Sequence, residues 1–122
     1  HHRSSAASDV YKRQVHCFTG NKESLMNYLD LGCYIGITGW ITDPRRGYHL
    51  HDIIKYIPSD RLMIETDSPY LMPFIEDTNK SKYNEPSNLV YVLDAVANIL
   101  EKDKHLLAKE LYNNSCRFCT IV

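Results

Sequence analysis

The chain has 122 residues, 43% apolar and 24% charged, with a formal net charge of −1. These values suit one small soluble domain or a piece of a larger one, and they exclude a global electrostatic pull toward nucleic acid or anionic membrane. No apolar run approaches the roughly 20 residues that cross a bilayer, and there is no secretory h-region.

Residues 1–14 show neither helical nor strand periodicity and read as a non-native or disordered leader, so the domain is taken as residues 15–122. A strand is predicted at Val15-His16-Cys17-Phe18, closed by the Thr19-Gly20 turn. Asn21 is placed to cap a helix with Leu25, Met26 and Leu29 on one face, and Gly32 to end it in a left-handed conformation. Tyr34 to Thr38 is rich enough in β-branched and aromatic residues for a second strand. Its internal Gly36 marks a close approach of another backbone or a ligand.

A polar loop from Gly39 to Gly47 carries Trp40, Asp43, Arg45 and Arg46. Leu50, Ile53, Ile54 and Ile57 predict a helix over 48–57, stopped by Pro58. Arg61 to Asp67 reads as a third strand, with Met63, Glu65 and Asp67 on one face and Leu62, Ile64 and Thr66 on the other. The connection from Ser68 to Glu85 is longer than ordinary loops, which favours a functional role. Pro86 opens a helix with an apolar stripe of Leu89, Val92, Leu93, Val96 and Leu100. A last helix starts near Asp103, and the tail from Ser115 is expected to be coil that packs Phe118 and Ile121.

Strands alternating with helices imply an α/β fold with parallel pairing and right-handed crossovers. Three strands are too few to close a barrel, so the chain reads as part of a larger sheet. With no secretory signal, Cys17, Cys33, Cys116 and Cys119 are read as reduced thiols in a cytoplasmic protein. Cys116-x-x-Cys119 lacks the second pair or histidine of a structural zinc site and is assigned to helix-end packing.

Active sites of parallel α/β folds gather at the C-terminal ends of the strands. His16, Thr38-Gly39-Trp40, and Glu65 with Asp67 stand there. A histidine and an aspartate from different strands are the donor mix for Zn²⁺ or Mn²⁺, and such an ion activates water and polarises a phosphoryl oxygen. The competing readings are a hydrogen-bonded core histidine for His16 and a turn carboxylate for Asp67. Glu65 could instead pair with an arginine. Arg45 and Arg46 are either a solvated loop or a phosphate clamp, and Trp40 either stacks a nucleobase or packs as a rim aromatic.

His16-Cys17-Phe18-Thr19-Gly20, Tyr34 to Trp40, Arg45-Arg46-Gly47, Leu62 to Leu71 and Asn84-Glu85-Pro86 together resemble, in order, the motifs of the TatD family. These are metal-dependent deoxyribonucleases of the amidohydrolase-like barrel group. The resemblance implies a partial (β/α)₈ TIM barrel comprising the last three strand–helix units plus a C-terminal helix. It implies that His16 and Asp67 ligate the metal, and that Asp67 also orients or deprotonates the attacking water. Glu65 is implied as a supporting catalytic carboxylate, with Asn84 and Glu85 bracing the active-site loop. The implied reaction is phosphodiester hydrolysis from 3′ ends of DNA single strands with Mg²⁺, Mn²⁺ or Zn²⁺, by a monomer with no membrane partner. The family's His-x-His, and its further glutamate and histidine on earlier strands, have no counterpart in these residues. The expectation is therefore a fragment inactive alone. The alternatives are a non-catalytic truncated barrel and a related deacylase with a non-DNA substrate.

Overall fold

A computed structural model describes residues 13–66, 73 and 84–119. Three parallel strands, β1 (Gln14–Val15), β2 (Tyr34–Ile37) and β3 (Leu62–Ile64), pair in sequence order. The register sets Gln14 beside Tyr34, Val15 beside Ile35, and Gly36 beside Met63. Alternation along each strand therefore divides the sheet into two faces. Val15, Ile35, Ile37, Leu62 and Ile64 share one face and join the hydrophobic core. Gln14, Gly36, Met63 and Glu65 belong to the other.

The core forms where the helices lie on the apolar face. Helix α1 (Lys22–Asp30) contributes Leu25, and the 3₁₀ turn Gly39–Thr42 contributes Ile41. The short helix α2 (Leu50–Ile53) and its 3₁₀ continuation Ile54–Tyr56 bury Leu50, Ile53 and Ile54. Helices α3 (Leu89–Leu100) and α4 (Lys104–Cys119) add Val92, Val96, Leu107 and Leu111. Among the described residues, no helix is long and apolar enough to cross a membrane.

The ends of α1 follow its sequence signals. The Asn21 side chain accepts from Ser24 N at 2.9 Å, and Ser24 Oγ accepts in return from Asn21 N at 3.1 Å, a reciprocal capping box. Gly32 at φ +79° closes the helix, donating to Leu29 O while Cys33 N donates to Tyr28 O.

Three expectations are corrected. The first strand lies at Gln14–Val15 rather than 15–18, because Cys17 takes a left-handed φ of 54° and turns the chain out of the sheet. The helix predicted over 48–57 shrinks to Leu50–Ile53 with a 3₁₀ end. Residues 47–49 form turns instead, with Leu50 N donating to Gly47 O and His51 N to Tyr48 O, while the His49 ring reaches Thr19 O rather than capping the helix. The tail expected to be coil from Ser115 is helical through Cys119. That last turn is anchored by tertiary contacts, with the Phe118 ring edge-on to Tyr34 at 5.4 Å and Asn114 bonded to the start of β3. Such anchors override weak local helix propensity.

Candidate active site

The polar face of the sheet is organised by what Gly36 lacks. A β-carbon there would sit 2.3 Å from Glu65 Oε2 and 2.7 Å from Gln14 Nε2. Without one, the Glu65 side chain, launched from the end of β3, lies across β2 and reaches the first strand. The close approach that Gly36 signals is thus a neighbouring carboxylate. Glu65 N also donates to Ile37 O at 2.9 Å, extending the β2–β3 ladder to the residue that carries the acid.

Glu65 meets three donors at the far side. Gln14 Nε2 donates to Oε1 at 3.0 Å and Cys17 N to Oε2 at 2.6 Å. His16 Nδ1 stands 2.8 Å from the same Oε2. The left-handed Cys17 aims its backbone N–H at the carboxylate, while its Sγ rests 3.4 Å from Thr38 Oγ1 at the end of β2. A partly buried carboxylate receiving this many donors is compensated for its desolvation. A ring nitrogen this close to a carboxylate carries the proton, so Nδ1–H donates and the lone pair of the neutral tautomer lies on Nε2. Carboxylate support of this kind orients metal-ligating histidines and raises their basicity. The Glu65 side chain is 16% exposed and His16 is 54% exposed, placing the acid inside and the imidazole at the rim. Asp67, the second expected ligand, lies outside the described residues.

At the C-terminal end of β3, Thr66 Oγ1 accepts from Asn84 Nδ2 at 3.1 Å. Asn84 is buried, and its Oδ1 accepts from Glu85 N at 2.9 Å and Asn88 Nδ2 at 3.1 Å. It ties the strand end to the turn that opens α3, across the span containing Asp67. Glu85 points elsewhere: it is exposed, with Oε2 3.5 Å from Ser87 Oγ.

The loop after β2 forms a separate unit. Asp43 Oδ1 accepts from the N–H groups of Arg45 at 2.8 Å and Arg46 at 2.9 Å, and Arg46 Nε donates to Oδ2 at 3.0 Å. The Arg46 guanidinium lies 4.7 Å over the Trp40 ring, and Trp40 Nε1 donates to Arg46 O. Gly47 permits the fold-back, since a β-carbon there would stand 1.9 Å from Trp40 O. Both arginine side chains are exposed, and that of Arg46 is engaged within the loop.

The two backbone N–H groups, from Arg46 first and then Arg45, hold the Asp43 carboxyl below its ordinary 3.8, at about 2. A depressed carboxyl contributes stability above its unfolded value and loses it as pH falls toward the folded one. The Asp43 carboxyl is expected to titrate by NMR with a midpoint near 2, the Arg45 and Arg46 amides following it. A midpoint near 4 would mean that the turn does not form.

Several further partners emerge only in three dimensions. Gln14 holds Glu65, and His49 and His51 bind the carbonyls of Thr19 and Ile41 at 2.9 and 3.1 Å. Buried Asn114 donates to the carbonyls of both Ser59 and Leu62 at 2.7 Å. A polar residue at a core-facing helix position was the available signal for Asn114. An apolar cavity of about 320 Å³, lined by Ile64, Leu89, Leu93 and Leu111 with Tyr112 and Ser115, opens on the opposite sheet face from Glu65.

The described residues thus form a parallel sheet with helices on its apolar face and a His–Glu pair at its strand ends. A family model for TatD related DNase matches residues 2–120, and the chain belongs to that family. A 3′-5′ ssDNA/RNA exonuclease TatD from Rahnella is 48% identical over 102 residues, covering 83% of this chain and 39% of the relative. One of the same name from Citrobacter koseri is 44% identical over 95 residues, 77% of this chain and 36% of the relative. The chain thus spans about two fifths of the curated relatives' length. The crystal structure of a TatD family hydrolase from Entamoeba histolytica superposes with a TM-score of 0.75 at 28% identity, covering 88% of this chain and 42% of that one. A TatD homolog from Escherichia coli gives 0.74 at 28% identity, with 86% and 39% covered. The fold is accordingly a partial TatD-like (β/α)₈ barrel.

Proposed function

We propose that the chain is the C-terminal portion of a metal-dependent nuclease that hydrolyses phosphodiester bonds from the 3′ ends of single-stranded nucleic acid in the cytoplasm. The observation that carries this reading is the Glu65–His16 contact, which presents an imidazole in the tautomer a metal ligand needs. The names of the relatives support the substrate.

The donor chemistry fits a divalent cation in part. His16 through Nε2 and Asp67 through its carboxylate would hold it. Among the described residues there is no cluster of three or more His, Cys, Asp or Glu donors. When bound, such an ion supplies Lewis acidity toward a phosphoryl oxygen and acidifies water.

This chain's own residues then divide the remaining work. Glu65 keeps Nδ1 protonated and the ring fixed. Asp67 orients the attacking water and takes its proton. Asn84 steadies the end of β3 that carries Asp67. Arg45 offers a cation to the nucleic-acid backbone, and Trp40, backed by Arg46, a surface for a base. With one imidazole and one aspartate in its motifs, the isolated 122-residue chain is proposed to be inactive.

The test is a chimera in which residues 14–119 replace the corresponding segment of the Rahnella relative. Manganese-dependent release of nucleotides from the 3′ end of a single-stranded oligonucleotide is expected, falling at least roughly 100-fold in His16→Ala. A folded chimera that leaves the 3′ end intact would refute the nuclease assignment.

A further inference from the structure

The hydrolytic site makes no use of Cys116-x-x-Cys119, and the structure removes the packing role expected for it. Both cysteines are exposed and neither forms a disulfide. The apolar anchor of that turn is instead Phe118 against Tyr34. Because α4 continues unbroken through Cys119, the two thiols stand at positions i and i+3 on one side of the helix. Their β-carbons are then about 5–6 Å apart.

Tyr112, four residues before Cys116, extends the same face. Its exposed side chain hydrogen-bonds to Cys116, which raises the phenol above its ordinary value. The three residues follow the i, i+4, i+7 spacing of a single helical stripe. They form a solvent-facing row whose polar atoms are two sulfurs and one phenol.

Two sulfurs on one helical turn are too few for tetrahedral zinc, which takes four ligands. No third donor of the His, Cys, Asp or Glu type joins them among the described residues. Soft thiolate pairs select soft centres that accept low coordination. We propose that Cys116 and Cys119 form a dithiol clamp on α4 for a thiophilic centre, of which trivalent arsenic is the model. With phenylarsine oxide, two As–S bonds form and two S–H bonds break. The oxide leaves as water, and arsenic stays trivalent throughout.

Phenylarsine oxide titrated into the reduced 122-residue chain is expected to give one adduct per chain, with two thiols lost together. Peptide mass spectrometry should place it on the segment holding Cys116 and Cys119. Cys116→Ser and Cys119→Ser, both at exposed positions, should each weaken binding by roughly 100-fold, since the second bond is then no longer intramolecular. Helical circular dichroism should persist on binding. An adduct on Cys17 or Cys33, unchanged affinity in either serine variant, or loss of helix signal on binding would each overturn the clamp.

Discussion

Gly36→Ala is expected to damage the site far more than the fold. The new methyl would occupy the space of the Glu65 carboxylate, 2.3 Å from Oε2. That atom is the end of a flexible side chain, so the conflict is relieved by swinging Glu65 away rather than by parting the strands. The swing breaks the bonds to His16 Nδ1 and Cys17 N together. Losing the group that orients a metal-bound histidine typically costs 10–100-fold in metal affinity or activity. In the chimera, kcat/KM for 3′ trimming should fall by about that factor, with only a small change in melting temperature. Glu65→Ala should cost a similar amount, and the double variant Gly36→Ala/Glu65→Ala little more than either alone, because both remove one interaction. Additive losses would show that Gly36 acts by another route.

The second large effect concerns stability. Asn114 is 1% exposed and uses one amide nitrogen to satisfy the carbonyls of Ser59 and Leu62. Its Oδ1 meanwhile accepts from Arg117 Nη2. This single side chain joins α4 to the turn before β3 and to the strand itself, so it sets where β3 begins relative to the helix behind it. Asn114→Ala leaves those carbonyls without their donor and is expected to destabilise the protein by about 1–3 kcal/mol in denaturant unfolding. Asn114→Asp keeps the shape but faces two carbonyl oxygens with another acceptor. It should be at least as harmful, and a neutral result for both variants would mean that water replaces the amide without cost.

The order of strands and helices was legible because each element has its own local signal. Asn21, Gly32, Pro58 and Pro86 mark boundaries through capping and backbone restriction, which depend on a few neighbouring residues. Face assignment along β3 was legible for the same reason, since alternation follows from pleating. The extent of α4 was not, because residues 115–119 are held helical by Asn114 and Phe118 meeting partners more than 50 positions earlier. The position of β1 was hidden likewise, because the left-handed turn at Cys17 is stabilised by Glu65 from β3.

For the site, residue types marked His16 and Glu65 as candidates, but not the bond between them. The pairing depends on Gly36 leaving room across a strand, a fact of three dimensions. Gly36 carried a partial signal as a glycine inside a strand. Arg45 and Arg46 looked alike in sequence and differ in the structure, where Asp43 and Trp40 engage the second guanidinium. Sequence spacing could not separate them, because both backbone amides meet the same carboxylate.

The central claim is that Glu65, passing over Gly36, holds His16 in the tautomer that ligates a divalent cation through Nε2. It is tested most directly by nitrogen-15 NMR of the histidine rings of the 122-residue chain during a Mn²⁺ titration. His16 is expected to be the Nδ1–H tautomer before metal is added. Its ring signals should then broaden saturably, ahead of those of His49, His51 and His105, and lose that priority in Glu65→Gln. An Nε2–H tautomer for His16, or broadening that reaches His49, His51 or His105 first, would contradict it.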